Sequence, residues 1–147
     1  DSLIAVIALV FIVNSFLGVV GSYLGLDISI QIILGYLFAP VAWLMGIPWG
    51  EAIVAGELLG LKTTLNEFVA YPALANLEPG ILSDKSKLIT FYGLCGFANF
   101  SSVGILVSGL GAMAPERKED LIEVSFQALI GATLASCMTG LIVGCLI

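Results

Sequence analysis

Glu67 is the residue of this chain with the strongest claim to do chemistry. It closes the run Lys62-Thr63-Thr64-Leu65-Asn66-Glu67, a polar knot between two short apolar pieces at 50–61 and 68–77. A carboxylate held inside hydrocarbon costs several kcal/mol, so one found there is a functional candidate by default. The structural alternative is an ion pair with Lys62 or with a residue elsewhere. A second polar knot, Cys95-Gly96-Phe97-Ala98-Asn99-Phe100-Ser101-Ser102, lies in the middle of an uncharged stretch at 88–115. Asn99 and Ser102 can both donate and accept there, and helix–helix hydrogen bonding would occupy them equally well. Phe97 offers a flat apolar face, which lipid or core could also use. Lys62 and Asn66 are supporting candidates. A carboxylate that accepts from hydroxyls, two groups that do both, and a flat ring describe a neutral ligand, rich in hydroxyls and partly planar. A nucleoside fits that description, and so does a sugar with an aromatic aglycone.

Other chemistries are excluded. The chain has no His, which removes His-ligated metal sites and His-based triads. Its basic residues are Lys62, Lys85, Lys87, Arg117 and Lys118, too scattered to hold a polyphosphate or a nucleic acid. Cys95, Cys137 and Cys145 sit in apolar runs with neither zinc spacing nor a disulfide framework. An integral-membrane enzyme using Glu67 as acid or base would need a partner carboxylate at catalytic spacing, and none is present. A purely structural assembly subunit would leave Glu67, Asn99 and Ser102 without a purpose. No catalytic residue and no metal ligand is therefore assigned.

The elements that must position these groups follow from composition. Of 147 residues 59% are hydrophobic and 11% charged, with a net charge of −6 and a mean hydropathy of +1.11. Soluble domains carry about 25% charged residues, so the solvent of this chain is a lipid bilayer. Stretches 2–26, 28–50, 88–115 and 124–147 carry no charge, and each exceeds the ~20 residues that cross a membrane. The expected architecture is an all-α integral membrane fold. It comprises a transmembrane helix at 2–26, an interfacial helix at 28–48 and a re-entrant helical hairpin at 50–77. A broken transmembrane helix at 85–113 and a transmembrane helix at 118–147 complete it. Pro40, Pro48, Trp43 and Trp49 place the second element at headgroup level. Apolar runs of ~10–14 residues suit a hairpin whose tip ends inside the protein. Polar residues and Gly at mid-membrane predict a helix unwound over Phe97–Ser102, which is tolerated only where it is buried or lines a cavity. Ala128, Ala132, Ser136, Gly140 and Gly144 recur every four residues on the last helix. Packing within the chain is the first use of such a stripe and subunit contact the second. Asp1, with no basic segment before the apolar run, reads as a start partway along a longer protein rather than as a signal peptide.

Two long motifs make the reading specific. Gly60-Leu61-Lys62-Thr63-Thr64-Leu65-Asn66-Glu67-Phe68-Val69-Ala70-Tyr71 resembles the G-x-K-x-x-x-N-E-F-V-A-Y signature of the concentrative nucleoside transporters. Cys95-Gly96-Phe97-Ala98-Asn99-Phe100-Ser101-Ser102-Val103-Gly104-Ile105 resembles a second signature of that family. Gly35-Tyr36-Leu37-Phe38-Ala39-Pro40, Met45-Gly46-Ile47-Pro48-Trp49 and Gly109-Leu110-Gly111-Ala112-Met113-Ala114-Pro115-Glu116-Arg117 are also similar. The resemblance implies a cation-coupled nucleoside symporter of the plasma (inner) membrane, built of two inverted repeats and assembled as a homotrimer. This chain resembles the second repeat, its C-terminal half. Glu67, Asn99 and Ser102 are then expected on the ribose and Phe97 on the base. No G-Q-T-E-like hairpin motif occurs, so the first repeat is expected to lie outside this chain. With it would lie most base contacts and the site of the coupling ion, Na+ or alternatively H+. Transport of another neutral hydroxylated solute is the open alternative.

Overall fold

The computed structural model describes residues 2–147, which form helices and no strand. Helix α1 (Ser2–Leu24) is 23 residues long, about 35 Å at 1.5 Å per residue. Helix α7 (Lys118–Leu146) has 29 residues and follows a single 3₁₀ turn at Pro115–Arg117. Both are long and apolar enough to cross a membrane. Five shorter helices lie between them: α2 (Ile30–Leu44), α3 (Trp49–Thr64), α4 (Glu67–Ala75), α5 (Asp84–Leu94) and α6 (Phe100–Met113).

Each boundary has a local cause. The Ser29 side chain caps α2 by accepting from Ile32 N–H. Asn14, at the middle of α1, accepts from Ile30 N–H at 2.8 Å and donates to Gln31 at 2.8 Å. The start of α2 is thereby tied to the middle of α1, and an Asn within an apolar helix gains its partners. Helix α2 stops at Gly46, whose φ of +97° lets Gly46 N–H reach Trp43 C=O and Ile47 N–H reach Ala42 C=O. This glycine-terminated end satisfies the last carbonyls. Pro48 then opens α3, which is bent by 120° from α2. Small residues on both, Gly35, Ala39 and Ala42 against Ala52, Gly56 and Gly60, allow their close approach.

Helices α3 and α4 fold back on one another through two residues, Leu65 and Asn66. The sequence suggested a longer joint over Lys62–Glu67. Lys62, Thr63 and Thr64 are instead the last turn of α3, the Thr hydroxyls donating to Leu59 and Gly60 carbonyls. At the open end of this hairpin, Glu51 accepts from both Ser83 N–H and Ser83 Oγ at 3.1 Å. Ser83 is also the N-cap of α5, so the starts of α3 and α5 lie at one level. Lys85 reaches Ile147 C=O at 3.3 Å, which brings the end of α7 to the same level.

The break expected at Phe97–Ser102 falls slightly earlier, at Cys95–Asn99, and Ser101 and Ser102 are already helical in α6. The small-residue stripe of α7 divides in two. Gly140 and Gly144 face Met45 and Ile89, where a Cβ would meet side chain and backbone within 3.4 Å. That half of the stripe packs inside the chain. Ala128 and Ala132 are exposed and border the cavity described below.

Candidate functional site

The hairpin tip and the helix break meet. Asn66 caps α4 by accepting from Val69 N–H at 3.1 Å, which puts Glu67 in the first turn of α4. A carboxylate is favoured at that end of a helix dipole. Asn99 caps α6 in the same way, accepting from Ser102 N–H at 2.7 Å. The amide nitrogen of Asn99 donates to Glu67 Oε2 at 3.0 Å. A second bond runs parallel, from Ser101 Oγ to Leu65 C=O at 3.0 Å. Two helix N-termini and one carboxylate therefore converge, and Asn99 serves both as cap and as bridge.

Burial separates the groups that build this junction from those that face outward. Asn99 is 1% exposed and Glu67 8%. Glu67 Oε1 accepts no hydrogen bond among the described residues, yet it is not sealed in. It can therefore receive a hydroxyl from outside. Phe97 is 75% exposed. With Ser102, Val103, Leu106, Ala128 and Ala132 it lines a cavity of about 150 Å³ between α6 and α7. Drug-sized ligands fill pockets of about 300–1,000 Å³, so this cavity can hold only part of a ligand. Glu67 does not line it. The candidate residues thus fall on two sides of the Asn99 cap: Glu67, Asn66 and Asn99 at the hairpin tip, Phe97 and Ser102 on the α6–α7 side. A larger apolar groove of about 850 Å³ between α4 and α5, bordered by Tyr71, Leu74, Lys87 and Phe91, contains none of them.

Lys62 does not pair with Glu67. Among the described residues the one salt bridge joins Arg117 and Asp120, at the surface. Lys62 is 1% exposed, and its ammonium has no hydrogen-bond partner. It lies beside the break: a Cβ on Gly96 would stand 4.0 Å from Lys62 Nζ and 2.5 Å from Ser136 Oγ. Gly96 has φ +150°. Both the conformation and the space therefore call for glycine.

Sequence reasoning missed two joints. The sequence points to Ser102 rather than Ser101, yet Ser102 serves here through its backbone N–H and Ser101 through its hydroxyl. Tyr71 was read only as part of a motif, yet its hydroxyl meets Cys95 Sγ at 2.8 Å and links α4 to the end of α5. The signal available for Ser101 was its place two residues after Asn99, a residue type that caps helices.

Residues 1–144 match the family model described as Na+ dependent nucleoside transporter C-terminus. The nucleoside permease NupC of Helicobacter pylori is 44% identical over 121 residues, covering 80% of this chain and 29% of that protein. Sodium/nucleoside cotransporter 1 of Mus musculus is 37% identical over 160 residues, 99% of this chain and 25% of that protein. Among solved structures, a variant of CNTnw in its intermediate 2 state superposes with a TM-score of 0.92 at 43% identity, over 99% of this chain and 37% of that one. CNTnw in an inward-facing substrate-bound state gives 0.83 at the same 43% identity, over 97% of this chain and 36% of that one. The chain spans roughly a third of the length of such relatives.

Proposed function

This chain belongs to the family of concentrative, Na+ dependent nucleoside transporters, and from that premise we propose that it supplies the ribose-recognising part of a site for cation-coupled nucleoside symport. The observation that carries the proposal is the Asn99–Glu67 bond at 3.0 Å. It fixes one carboxylate oxygen and leaves the other able to accept from a ligand. A ribose presents two neighbouring hydroxyls, both donors, to a group that only accepts. Asn99 holds the carboxylate at the angle set by α6, and the N-terminal ends of α4 and α6 favour the negative charge between them. Phe97 and Ser102 border a space suited to one flat end of the ligand. The remaining base contacts, the coupling ion (Na+, with H+ as the alternative) and the first repeat belong to the part of the transporter outside this chain. A homotrimer in the plasma (inner) membrane is the assembly that the family relationship favours. Turnover consists of binding, rearrangement and release, with no bond made or broken in the solute.

The test is the affinity of the full-length protein for uridine with Glu67→Gln. Glutamine keeps the size and loses the charge. Each charge-assisted hydrogen bond contributes about 1.5–3 kcal/mol, so affinity falls at least about tenfold. Removing both ribose hydroxyls from the ligand weakens binding to wild type by a similar factor and to the Gln variant by much less. Near-normal uridine affinity in Glu67→Gln, or an equal loss for the dideoxy ligand in both proteins, rules the assignment out.

A further inference from the structure

Lys62 poses a problem that the proposed ribose site does not solve. Its side chain is 1% exposed, and the ammonium makes no hydrogen bond among the described residues. An ammonium has three donors and cannot accept, and a buried charge costs several kcal/mol unless charge or dipoles compensate it. Position explains why the cost is borne. The side chain leaves the last turn of α3 and ends beside Gly96, just beyond the C-terminus of α5 at Leu94. A helix ends there with roughly half a negative charge on its free carbonyls. Among the described residues no backbone N–H donates to the carbonyls of Gly93, Leu94 or Cys95. Cys137, Glu67 and Cys95 are the titratable groups within electrostatic range of the ammonium. Carbonyls freed at a break and the C-terminal ends of half-helices are the groups with which transporters bind cations.

We propose that the Lys62 ammonium is a tethered cation standing where a free monovalent ion would otherwise have to bind between the hairpin tip and the end of α5, so that this half of the transporter takes up no coupling ion of its own. The proposal rests on the reading of the chain as part of a cation-coupled symporter, and it adds that the two halves differ in what neutralises their broken helices. Covalent attachment removes the entropy cost of capturing an ion. It also keeps a positive charge beside the break whether or not the gradient is present. The ammonium lies near the carbonyl end of α5, where the helix dipole favours positive charge. Gly96 carries no side chain, and a Cβ there would stand 4.0 Å from the ammonium.

Full-length protein carrying Lys62→Ala, Lys62→Met or Lys62→Arg is purified without nucleoside. Each variant is melted in choline chloride and in rising sodium, lithium or potassium chloride. Lys62→Ala leaves room for an ion. Its melting temperature gains a cation-dependent rise beyond that of wild type, about 5 °C at a hundredfold excess over the ion's Kd. Lys62→Met fills the space without charge and shows no such gain, and Lys62→Arg responds as wild type does. If Lys62→Ala does no better in any of these cations than wild type does, the proposal is overturned. This holds whatever the variant's absolute stability, and a variant recovered in none of the salts counts as such a failure. An equal gain in Lys62→Met also overturns it, since the response would then reflect lost charge and not a vacated cation position. Uridine stabilisation of the wild-type protein is scored separately. Its absence refutes the nucleoside reading and leaves the cation response of Lys62→Ala to be judged alone.

Discussion

Asn99 has two tasks that one substitution can separate. Its Oδ1 caps α6 through Ser102 N–H, and its Nδ2 holds Glu67. Losing a cap costs about 1 kcal/mol, and stripping a buried carboxylate of its donor about 1.5–3 kcal/mol more. Asn99→Ala therefore lowers both the stability and the uridine affinity of the full-length protein. Asn99→Ser restores a capping oxygen on a side chain too short to bridge to Glu67. Stability then recovers by about 1 kcal/mol while affinity stays low, as read by thermal melting and by equilibrium binding on the same samples. Ile105→Ala, at a half-exposed position nearly two turns further along α6, leaves affinity near wild type. Parallel recovery of both properties in Asn99→Ser would mean that Asn99 acts as a cap alone.

At the scale of elements, α3 and α4 form a helical hairpin, and the proposal that it is re-entrant requires its two ends to open on one face of the membrane. The two-residue joint at Leu65–Asn66 sends α4 back along α3. The Glu51–Ser83 bonds draw the start of α3 to the start of α5. Cysteines at Gly50 and Glu78, in a background without Cys95, Cys137 and Cys145, react with an impermeant thiol reagent from the same side. Labelling from opposite sides would show that 51–77 crosses the bilayer. The long helices were readable in the sequence because an uncharged run of more than 20 residues has few other fates. The ends of the short ones were less so. Thr63 and Thr64 look like loop residues by type, but their hydroxyls bond back to α3 and let it continue. The break lies at Cys95–Asn99 because Asn99 caps a new helix, which pulls Ser101 and Ser102 into its first turn. The tie between Asn14 and the start of α2 was invisible: one Asn in an apolar run carries no sign of its partner.

At the scale of the molecule, much apolar surface is left open, including Phe11 at 72% and Phe16 at 67% on α1. Lipid and the rest of the transporter are the surfaces that such side chains suit. Two states of CNTnw align with this chain at one identity but at TM-scores of 0.92 and 0.83. One of the pair is a variant and the two are in different states, and the region matched by this chain differs in shape between them. The joints at Gly25–Ser29, Met45–Pro48 and Cys95–Asn99 separate successive helices of this chain. Cation-coupled symport requires a change of shape that exposes the binding site alternately to the two sides of the membrane. The most direct measurement is uptake of radiolabelled uridine into proteoliposomes holding the full-length protein, with an inward sodium gradient, with equal sodium on both sides, and with a proton gradient alone. Concentrative uptake that needs one of the two gradients and vanishes in Glu67→Gln is the expected result. Uptake that is indifferent to both gradients, or retained undiminished in Glu67→Gln, would contradict the assignment of this chain to the ribose-binding part of a coupled nucleoside transporter.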